Sequence, residues 1–293
     1  MHQWVKNIRR VLWVKLPVAV LVGCHAHSAH VVPDLPRRAS IKIESGASIT
    51  FCNDDSSKCH TERVMLGSGS GVVISHHKDN SFTLTAGHVC KFPTPTPPLP
   101  EFRSPKEIYD MSRRMGLNLK FVPVTVVTQW VMYVIDIDLN RHYAVPVSII
   151  VPQGPNASGT SVDLCLMISQ RINTTPAKLS VVEPQIGNRI YNISSPFGTL
   201  FQGEGGMIYE GILSSVDGAK GSSVFSIPAA PGSSGSPIFN SRGEVIGIVS
   251  AVHRFVPNYT IGPNLRQIRC FLYNAFQEGK ALPAAPSGVG CED

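Results

Sequence analysis

The stretch "APGSSGSPIFN", residues 230–240, holds three serines and two glycines before it turns apolar. A flexible linker would stay polar, whereas this stretch continues into "SRGEVIGIVSAV", a turn followed by a second apolar run. The serine-rich piece is therefore a turn held between strands. Glycines permit the dihedral angles of a tight turn that exposes one hydroxyl and directs backbone N–H groups at one point. Ser234 is the candidate nucleophile; the plainer interpretation is an ordinary Gly/Ser turn.

The rest of the chain is rich in short runs of Val, Ile, Phe and Tyr bounded by Gly, Pro, Asn or Asp, which predicts an all-β protein. Apolar residues at three- and four-residue spacing predict two helices, at residues 105–115 and 264–278. The predicted strands lie at residues 70–75, 81–86, 121–135, 143–151, 162–169, 177–183, 189–194, 207–216, 223–227 and 244–252.

Composition predicts a globular protein with a mild excess of positive charge. The chain has 293 residues, of which 43% are apolar and 16% charged, enough for one large or two small domains. The net charge is +6, and four of the basic residues lie within the first fifteen. We expect no nucleic-acid partner, because the body of the chain has no dense Lys/Arg stripe with interleaved aromatic residues.

Residues 1–30 have the pattern of an export signal, with a basic start and an apolar run at 16–23 that is too short to span a bilayer. Two processing sites fit. "LVGC" resembles a bacterial lipobox that would place a lipid on Cys24, and a signal peptidase could instead cut after Ala26 or Ser28. We expect an exported protein, periplasmic, secreted or anchored as a lipoprotein, that meets a membrane only through a lipid on Cys24. An ordinary apolar N-terminus is the alternative.

Six cysteines remain when Cys24 is set aside, an even number that suits disulfides in an exported protein. Six cysteines allow fifteen pairings, and only Cys52 and Cys59, which enclose "NDDSSK", make a natural local pair. "CNDDSSKCH" has no second ligand pair near it to complete a four-ligand metal site. We therefore expect no metal.

Two further motifs carry candidate catalytic residues. "TLTAGHVC", residues 83–90, places His88 after a strand and a small-residue turn, where an imidazole can act as a general base on a serine hydroxyl. "SVDLCLMIS" opens an apolar strand with Asp163. An aspartate there must be hydrogen-bonded or solvated, and orienting a histidine would satisfy it. A strand-edge cap is the plainer interpretation of Asp163.

In the order His, Asp, Ser, these motifs resemble the trypsin-like, chymotrypsin-fold serine proteases. The matching pieces are "TAGHV", "DLCL", "GSSGSP" and "GIVS" at residues 247–250, and the resemblance spans residues 41–275. "SSPFG" at 194–198 and "GILSSV" at 211–216 are similar to the HtrA-type bacterial branch.

The resemblance implies two six-stranded antiparallel β-barrels with the active site in the cleft between them, and a short C-terminal helix. The first barrel would occupy residues 41–172, carry His88 and Asp163, and contain a proline-rich insert at 92–105. The second would occupy residues 173–278 with Ser234 and the terminal helix, followed by a tail at 279–293.

The implied activity is a serine endopeptidase that acts on protein or peptide substrates without metal or cofactor. Ser234 would attack the peptide carbonyl, His88 would move its proton, and Asp163 would hold the histidine tautomer. The backbone N–H groups of Gly232 and Ser234 would form the oxyanion hole.

The resemblance also implies a substrate pocket with Pro228 at its floor and Ser250, Ala251 and Val252 along its wall. A floor without a carboxylate disfavours Lys or Arg before the cut, because an unpaired buried charge is costly. Val252 stands where trypsins have glycine and narrows the entrance. We therefore expect a preference for small or medium apolar residues before the scissile bond.

Two departures from the family pattern affect these assignments. His88 and Asp163 are 75 residues apart, a long separation that leaves Asp136 and Asp138 as rival orienting residues, although "DLCL" fits the family strand better than "VIDIDLN". Ser233 stands where trypsins carry an aspartate, so trypsin-style zymogen activation is not expected.

Two other functions stay open at this stage. The first is a catalytically silent protease-fold binding module at the cell surface, against which the complete set of three residues argues. The second is a serine esterase with the same residues. A hydrolase nucleophile elbow would lead into a helix, whereas β-strands are predicted after Ser234.

Overall fold

The computed structural model describes residues 33–91, 104–121, 123, 125–150, 162–200, 203–217, 222–253 and 255–278. The predicted signal at 1–30, the tail at 279–293 and all but the last two residues of the insert at 92–105 lie outside the described residues. The described residues belong to one compact unit that begins at Pro33. The boundary predicted between residues 172 and 173 stays a prediction.

Six antiparallel strands close into a barrel in the spatial order β1-β2-β3-β6-β5-β4. Alternating apolar side chains drive the closure, since Ile41 and Ile43 of the first strand are both buried in the barrel core. The strands are β1 (Ser40–Cys52), β2 (Cys59–His77), β3 (Asn80–Thr85), β4 (Thr125–Ile135), β5 (Arg141–Ile150) and β6 (Leu164–Gln170).

The β1–β2 hairpin ends in the disulfide that the sequence predicts, between Cys52 and Cys59. The helix predicted at 105–115 is also confirmed, as α2 (Pro105–Arg114). It begins where the Ser104 hydroxyl accepts a hydrogen bond from the Glu107 N–H, 3.3 Å away, with proline at the first helical position. Ile108 of α2 then packs on the apolar residues of the hairpin in a small separate core.

A seven-stranded sheet forms the second half, in the order β11-β10-β7-β8-β9-β13-β12. The all-β, chymotrypsin-like fold is confirmed, but the second half has seven strands where we predicted six. The strand predicted at 244–252 is two strands, because the Val249 N–H bonds to Ser236 and the Ser250 N–H to Ile261. The strands are β7 (Arg189–Ser194), β8 (Met207–Ser215), β9 (Ser223–Phe225), β10 (Pro237–Phe239), β11 (Val245–Ile248), β12 (Ala251–Val252) and β13 (Thr260–Gly262).

The strand predicted at 177–183 is wrong. Only Leu179 pairs, in a single parallel bridge with Val245, and the following Val181 and Val182 are exposed. The apolar residues of this segment predicted a strand, but among the described residues they have no continuous ladder partner. Conversely, the sequence analysis did not predict β1, which is the longest segment of strand that it missed.

The helix predicted at 264–278 is confirmed as α3 (Leu265–Glu278). Asn264 and Gln267 form a reciprocal cap, each side chain accepting the other's backbone N–H. α3 belongs to a core that contains residues of both halves, and Phe82 of the barrel meets Phe276 edge-on at 5.5 Å between ring centroids. The two halves are therefore packed into one core. No helix in the described residues is long and apolar enough to cross a membrane.

Candidate active site

His88 lies on α1 (Gly87–Cys90), a single helical turn that follows β3. The last ladder pair between β3 and β6 joins Thr85 to Cys165, so the chain leaves the sheet immediately before α1. A Cβ at Gly87 would overlap the Ile150 carbonyl and lie 2.9 Å from Asp163 Oδ1. The glycine therefore allows α1 to lie directly against the carboxylate.

Asp163 binds His88 through both carboxylate oxygens. Oδ2 lies 2.6 Å from His88 Nδ1, and Oδ1 accepts the His88 backbone N–H at 2.8 Å. A carboxylate oxygen is an acceptor, so Nδ1 carries the hydrogen and Nε2 is left as the free acceptor. The His88 side chain is 43% exposed and that of Asp163 only 5%. Asp163 thus fixes both the ring and its tautomer from beneath.

A third donor reaches the same carboxylate from the second half. The Ser250 hydroxyl donates to Asp163 Oδ2 from the short link between β11 and β12. Burial raises the pKa of Asp163, but the hydrogen bonds and charge of His88 and the hydroxyl of Ser250 outweigh it and hold the pKa below 3.8. Asp163 is therefore ionised at neutral pH, as an orienting acid must be.

The rival aspartates lie elsewhere. Asp136 accepts hydrogen bonds from the backbone of Asp138, from Asn140 and from His142 Nε2, all within the β4–β5 turn. Asp138 is exposed and forms an ion pair with Arg38 at 3.4 Å. Neither has a hydrogen bond to His88 within the described part of the chain, so the geometry favours Asp163 as the orienting residue.

Ser234 lies in a tight turn between two glycines, and the backbone conformation at both of them favours glycine. Gly232 and Gly235 both have positive φ, at 94° and 85°. A Cβ at Gly235 would overlap Thr85 Oγ1 and lie 2.9 Å from the Ala86 nitrogen. The turn is therefore packed against the end of β3, from which α1 and His88 follow.

Ser70 of β2 fixes the same turn from the barrel side. Its N–H donates to the Ser234 carbonyl at 2.7 Å, and its buried hydroxyl donates to the Gly232 carbonyl at 2.8 Å. The Ser70 hydroxyl also accepts the Ser195 N–H at 2.9 Å. Two hydrogen bonds from Ser70 thus hold the Ser234 turn in register with the first barrel, and the third joins Ser195 to the same hydroxyl.

Two backbone donors are free at this turn. Neither the Gly232 N–H nor the Ser234 N–H donates to any group in the described residues, whereas Ser233 and Gly235 beside them are both paired. The Ser234 side chain is half-buried and makes no hydrogen bond to a described residue. Two unpaired N–H groups next to an accessible hydroxyl can bind a negatively charged oxygen.

A cavity of about 630 Å³ opens next to Pro228 and Ala229, which precede the Ser234 turn in the chain. Val252 also lines it, together with the polar side chains of His253 and Asn258. None of its lining residues carries a carboxylate. The other two predicted pocket residues do not line it: Ser250 is engaged with Asp163, and Ala251 is exposed on β12.

The structure thus joins His88 to Asp163 by hydrogen bonds and packs the Ser234 turn against the strand that leads into His88. Sequence reasoning missed Ser70, for which the alternating "GSGSG" of residues 67–71 was the available signal, and it did not predict the bond from the Ser250 hydroxyl to Asp163. It also left the pairing of Cys90 with Cys165 unassigned. Among the described residues no group of three or more His, Cys, Asp or Glu side chains is arranged to hold a metal.

Comparison with known proteins places this geometry in context. The sequence model of the trypsin-like peptidase domain matches residues 69–248. Comparison with curated proteins gives no match.

Two solved structures are similar in fold. The serine endoprotease from Yersinia pestis has a TM-score of 0.53 at 15% identity, covering 83% of this chain and 65% of that one. A variant of the HtrA-type protease AlgW with a decapeptide has a TM-score of 0.51 at 14% identity, covering 84% of this chain and 65% of that one. The chain thus spans 65% of the length of each.

Proposed function

Because the chain belongs to the trypsin-like peptidase family, we propose that it is a serine endopeptidase whose triad is His88, Asp163 and Ser234. The observation that carries the proposal is the buried Asp163 carboxylate, which receives the His88 ring from α1 and the Ser250 hydroxyl from the second half. These hydrogen bonds hold an exposed imidazole, whose Nε2 has no partner among the described residues. The imidazole follows the end of β3, against which the Ser234 turn is also packed.

The reaction is acyl transfer. His88 Nε2 takes the proton of the Ser234 hydroxyl as the oxygen attacks the peptide carbonyl, and the tetrahedral intermediate forms. The imidazolium then gives that proton to the leaving amine, and the acyl-enzyme is hydrolysed by water in the same two proton steps. The ionised Asp163 stabilises the imidazolium and keeps its Nδ1–H in place.

The oxyanion of the intermediate binds the free N–H groups of Gly232 and Ser234. Both are backbone donors in a turn fixed by Ser70, so they need no rearrangement when the charge develops. Loss of one such donor costs about 2.7 to 4 kcal/mol of transition-state stabilisation in known cases.

The direct test is hydrolysis of a casein-type substrate by Ser234→Ala, which we expect to abolish turnover while the protein stays folded. Ser233→Ala and Ser236→Ala should retain measurable activity, although both hydroxyls are buried and accept hydrogen bonds, from the Ala230 N–H and from Asn192 Nδ2 respectively. Ser241→Ala, at an exposed position after β10, is the surface control. An active Ser234 variant beside an inactive Ser236 variant would show that the nucleophile is misassigned.

We propose that the cavity lined by Pro228 and Val252 receives the substrate side chain before the cut and prefers small or medium apolar residues. Pro228, Ala229 and Val252 give it apolar walls beside the polar His253 and Asn258, and no lining carboxylate is available for Lys or Arg. A peptide-library cleavage profile tests this. Strong selection for Lys or Arg would contradict it, and Val252→Gly should gain bulky aromatic substrates because the branched wall is removed.

We also propose that the protein is exported through its first thirty residues. The disulfides Cys52–Cys59 and Cys90–Cys165 support an oxidising compartment. Mass analysis of the mature N-terminus should find either a lipidated Cys24 or a start after Ala26 or Ser28. A mature protein that begins at Met1 would contradict export by cleavage.

A further inference from the structure

We propose that the disulfide Cys90–Cys165 is a positioning element for catalysis, which fixes α1 on β6 so that His88 meets Asp163 in productive geometry. This inference rests on the triad proposed above. It assigns a role to two cysteines whose pairing the sequence left open.

Each of the two cysteines lies two positions after one of two residues of the proposed triad. Cys90 follows His88 by two positions and Cys165 follows Asp163 by two positions. Their sulfurs are bonded, and the Cα atoms lie 6.3 Å apart. The covalent link therefore joins the same two segments as the His88–Asp163 hydrogen bonds, one step deeper in the barrel.

Apart from the disulfide, the described residues hold α1 through the His88–Asp163 hydrogen bonds and through Val89, which packs against the barrel core. The helix is one turn of four residues, and no side chain caps its N-terminus. Its internal backbone bonds are long, with Val89 N–H to the Ala86 carbonyl at 3.1 Å and Lys91 N–H to the Gly87 carbonyl at 3.2 Å. A single turn of this kind is not stable by itself, because helix nucleation is unfavourable.

Because β3 pairs with β6, the disulfide closes a short segment of chain as well as joining two cysteines that are far apart in sequence. Cys165 is the ladder partner of Thr85, the last residue of β3, and the covalent partner of Cys90 at the end of α1. The segment from Thr85 to Cys90 is thus tied to one residue of β6 at both ends. His88 lies inside that closed segment, where a shift of α1 along the strand is blocked.

The His88 ring depends on this anchoring. It is 43% exposed, so packing fixes it on one side only, and its one described hydrogen bond runs from Nδ1 to Asp163 Oδ2. Cys90 and Cys165 are both fully buried in the barrel core. The buried disulfide would hold the backbone of α1 rigid, whereas the His88 ring remains exposed. This arrangement would fix a general base while leaving its Nε2 accessible.

The test compares two disulfide deletions in the full chain. Cys90→Ala with Cys165→Val removes the proposed element with an apolar replacement suited to its buried site. Cys52→Ala with Cys59→Ala is the matched control, since it removes the other described disulfide at the far end of the β1–β2 hairpin. Each variant is assayed at a temperature at which circular dichroism shows that it is folded.

We expect the Cys90/Cys165 variant to lose about 100-fold in kcat with little change in KM, because a displacement of about 1 Å in a catalytic group has an effect of that size. The control variant should keep the wild-type kcat. Proton NMR supplies a second readout that does not depend on turnover. The downfield resonance of the His88 Nδ1–H should persist in the control and disappear through exchange in the Cys90/Cys165 variant.

A folded Cys90/Cys165 variant with wild-type kcat and an intact resonance would overturn the proposal. If that variant does not fold, Cys90→Val with Cys165→Ala is measured in its place; failure of both to fold, with a folded control, would assign the disulfide to stability alone. The triad proposal fails differently, through a wild-type protein that is inactive or a Ser234→Ala protein that is not.

Discussion

Two aspartate–histidine pairs lie in the described part of the first barrel, and one of them has the geometry that the proposed triad needs. Asp163 pairs with His88 at 2.6 Å and Asp136 with His142 at 3.0 Å. Both carboxylates are buried, and in both cases burial raises the pKa while hydrogen bonds outweigh it and hold the pKa below 3.8. Neither the residue types nor the carboxylate pKa separates the pairs.

Connectivity and exposure do separate them. The donors to Asp136 lie within six residues of it in the chain and close one β-turn. The side-chain donors to Asp163 are 75 and 87 residues away and join α1 to the second half. His142 is 17% exposed and His88 43%. A histidine that serves as a base needs an orienting acid on one side and open space on the other, and of these two histidines His88 has both.

Replacement of each aspartate by asparagine should give the largest difference in kcat between the two pairs. We expect Asp163→Asn to lower kcat at neutral pH by about four orders of magnitude, because an amide no longer fixes the required histidine tautomer. Asp136→Asn and Asp138→Asn should have far smaller effects, since Asp136 bonds to groups around the β4–β5 turn and Asp138 pairs with Arg38. Turnover of a peptide substrate measures all three. A loss confined to Asp136→Asn would reverse the assignment.

Removal of one donor from each carboxylate sharpens the same contrast. Ser250→Ala takes a hydroxyl from Asp163, and a hydrogen bond to a charged group is worth about 1.5 to 3 kcal/mol. We expect kcat/KM to fall about tenfold. The matched control is Asn140→Ala, which takes an amide donor from Asp136 Oδ2. It should leave kcat/KM unchanged, and equal losses in both variants would mean that Ser250 does not act through Asp163.

The smallest expected difference is in stability against pH. Because the folded-state pKa of each aspartate is depressed, its contribution is present above the ordinary value of 3.8 and is lost as pH falls through the folded pKa. Asp136→Asn should therefore be less stable than the wild type at pH 7, by about 1 kcal/mol. Denaturant unfolding should show this difference shrinking below about pH 4. A constant difference down to about pH 2 would contradict the assigned ionisation.

The three motifs of the proposed triad could be recognised in the sequence because each is local. The histidine turn, the aspartate at the start of a strand and the glycine-flanked serine each require particular residue types within a few positions. Cys52 and Cys59 were likewise predictable, because seven positions and a polar loop separate them. β1 could have been found, since Ile41, Ile43, Ile49 and Phe51 alternate, but its Ser and Gly residues weaken the apolar signal.

What could not be predicted depends on register and on contacts between the halves. Cys90 meets Cys165 only because Thr85 is the ladder partner of Cys165, and pairing 75 positions apart has no local signature. The Ser250 hydroxyl reaches Asp163 because the strand predicted at 244–252 bends at the β11–β12 link. The segment 177–183 failed as a strand for the same reason, because composition does not specify a ladder partner.

The central claim is that Ser234 is activated by His88 and not by the similar histidine beside Asp136. The most direct measurement is labelling with a fluorophosphonate probe followed by peptide mass spectrometry, applied to the wild type, His88→Ala and His142→Ala. The account predicts a probe adduct on Ser234 in the wild type and in His142→Ala, and none in His88→Ala. An adduct on another serine in the wild type, or its loss in His142→Ala with retention in His88→Ala, would contradict it.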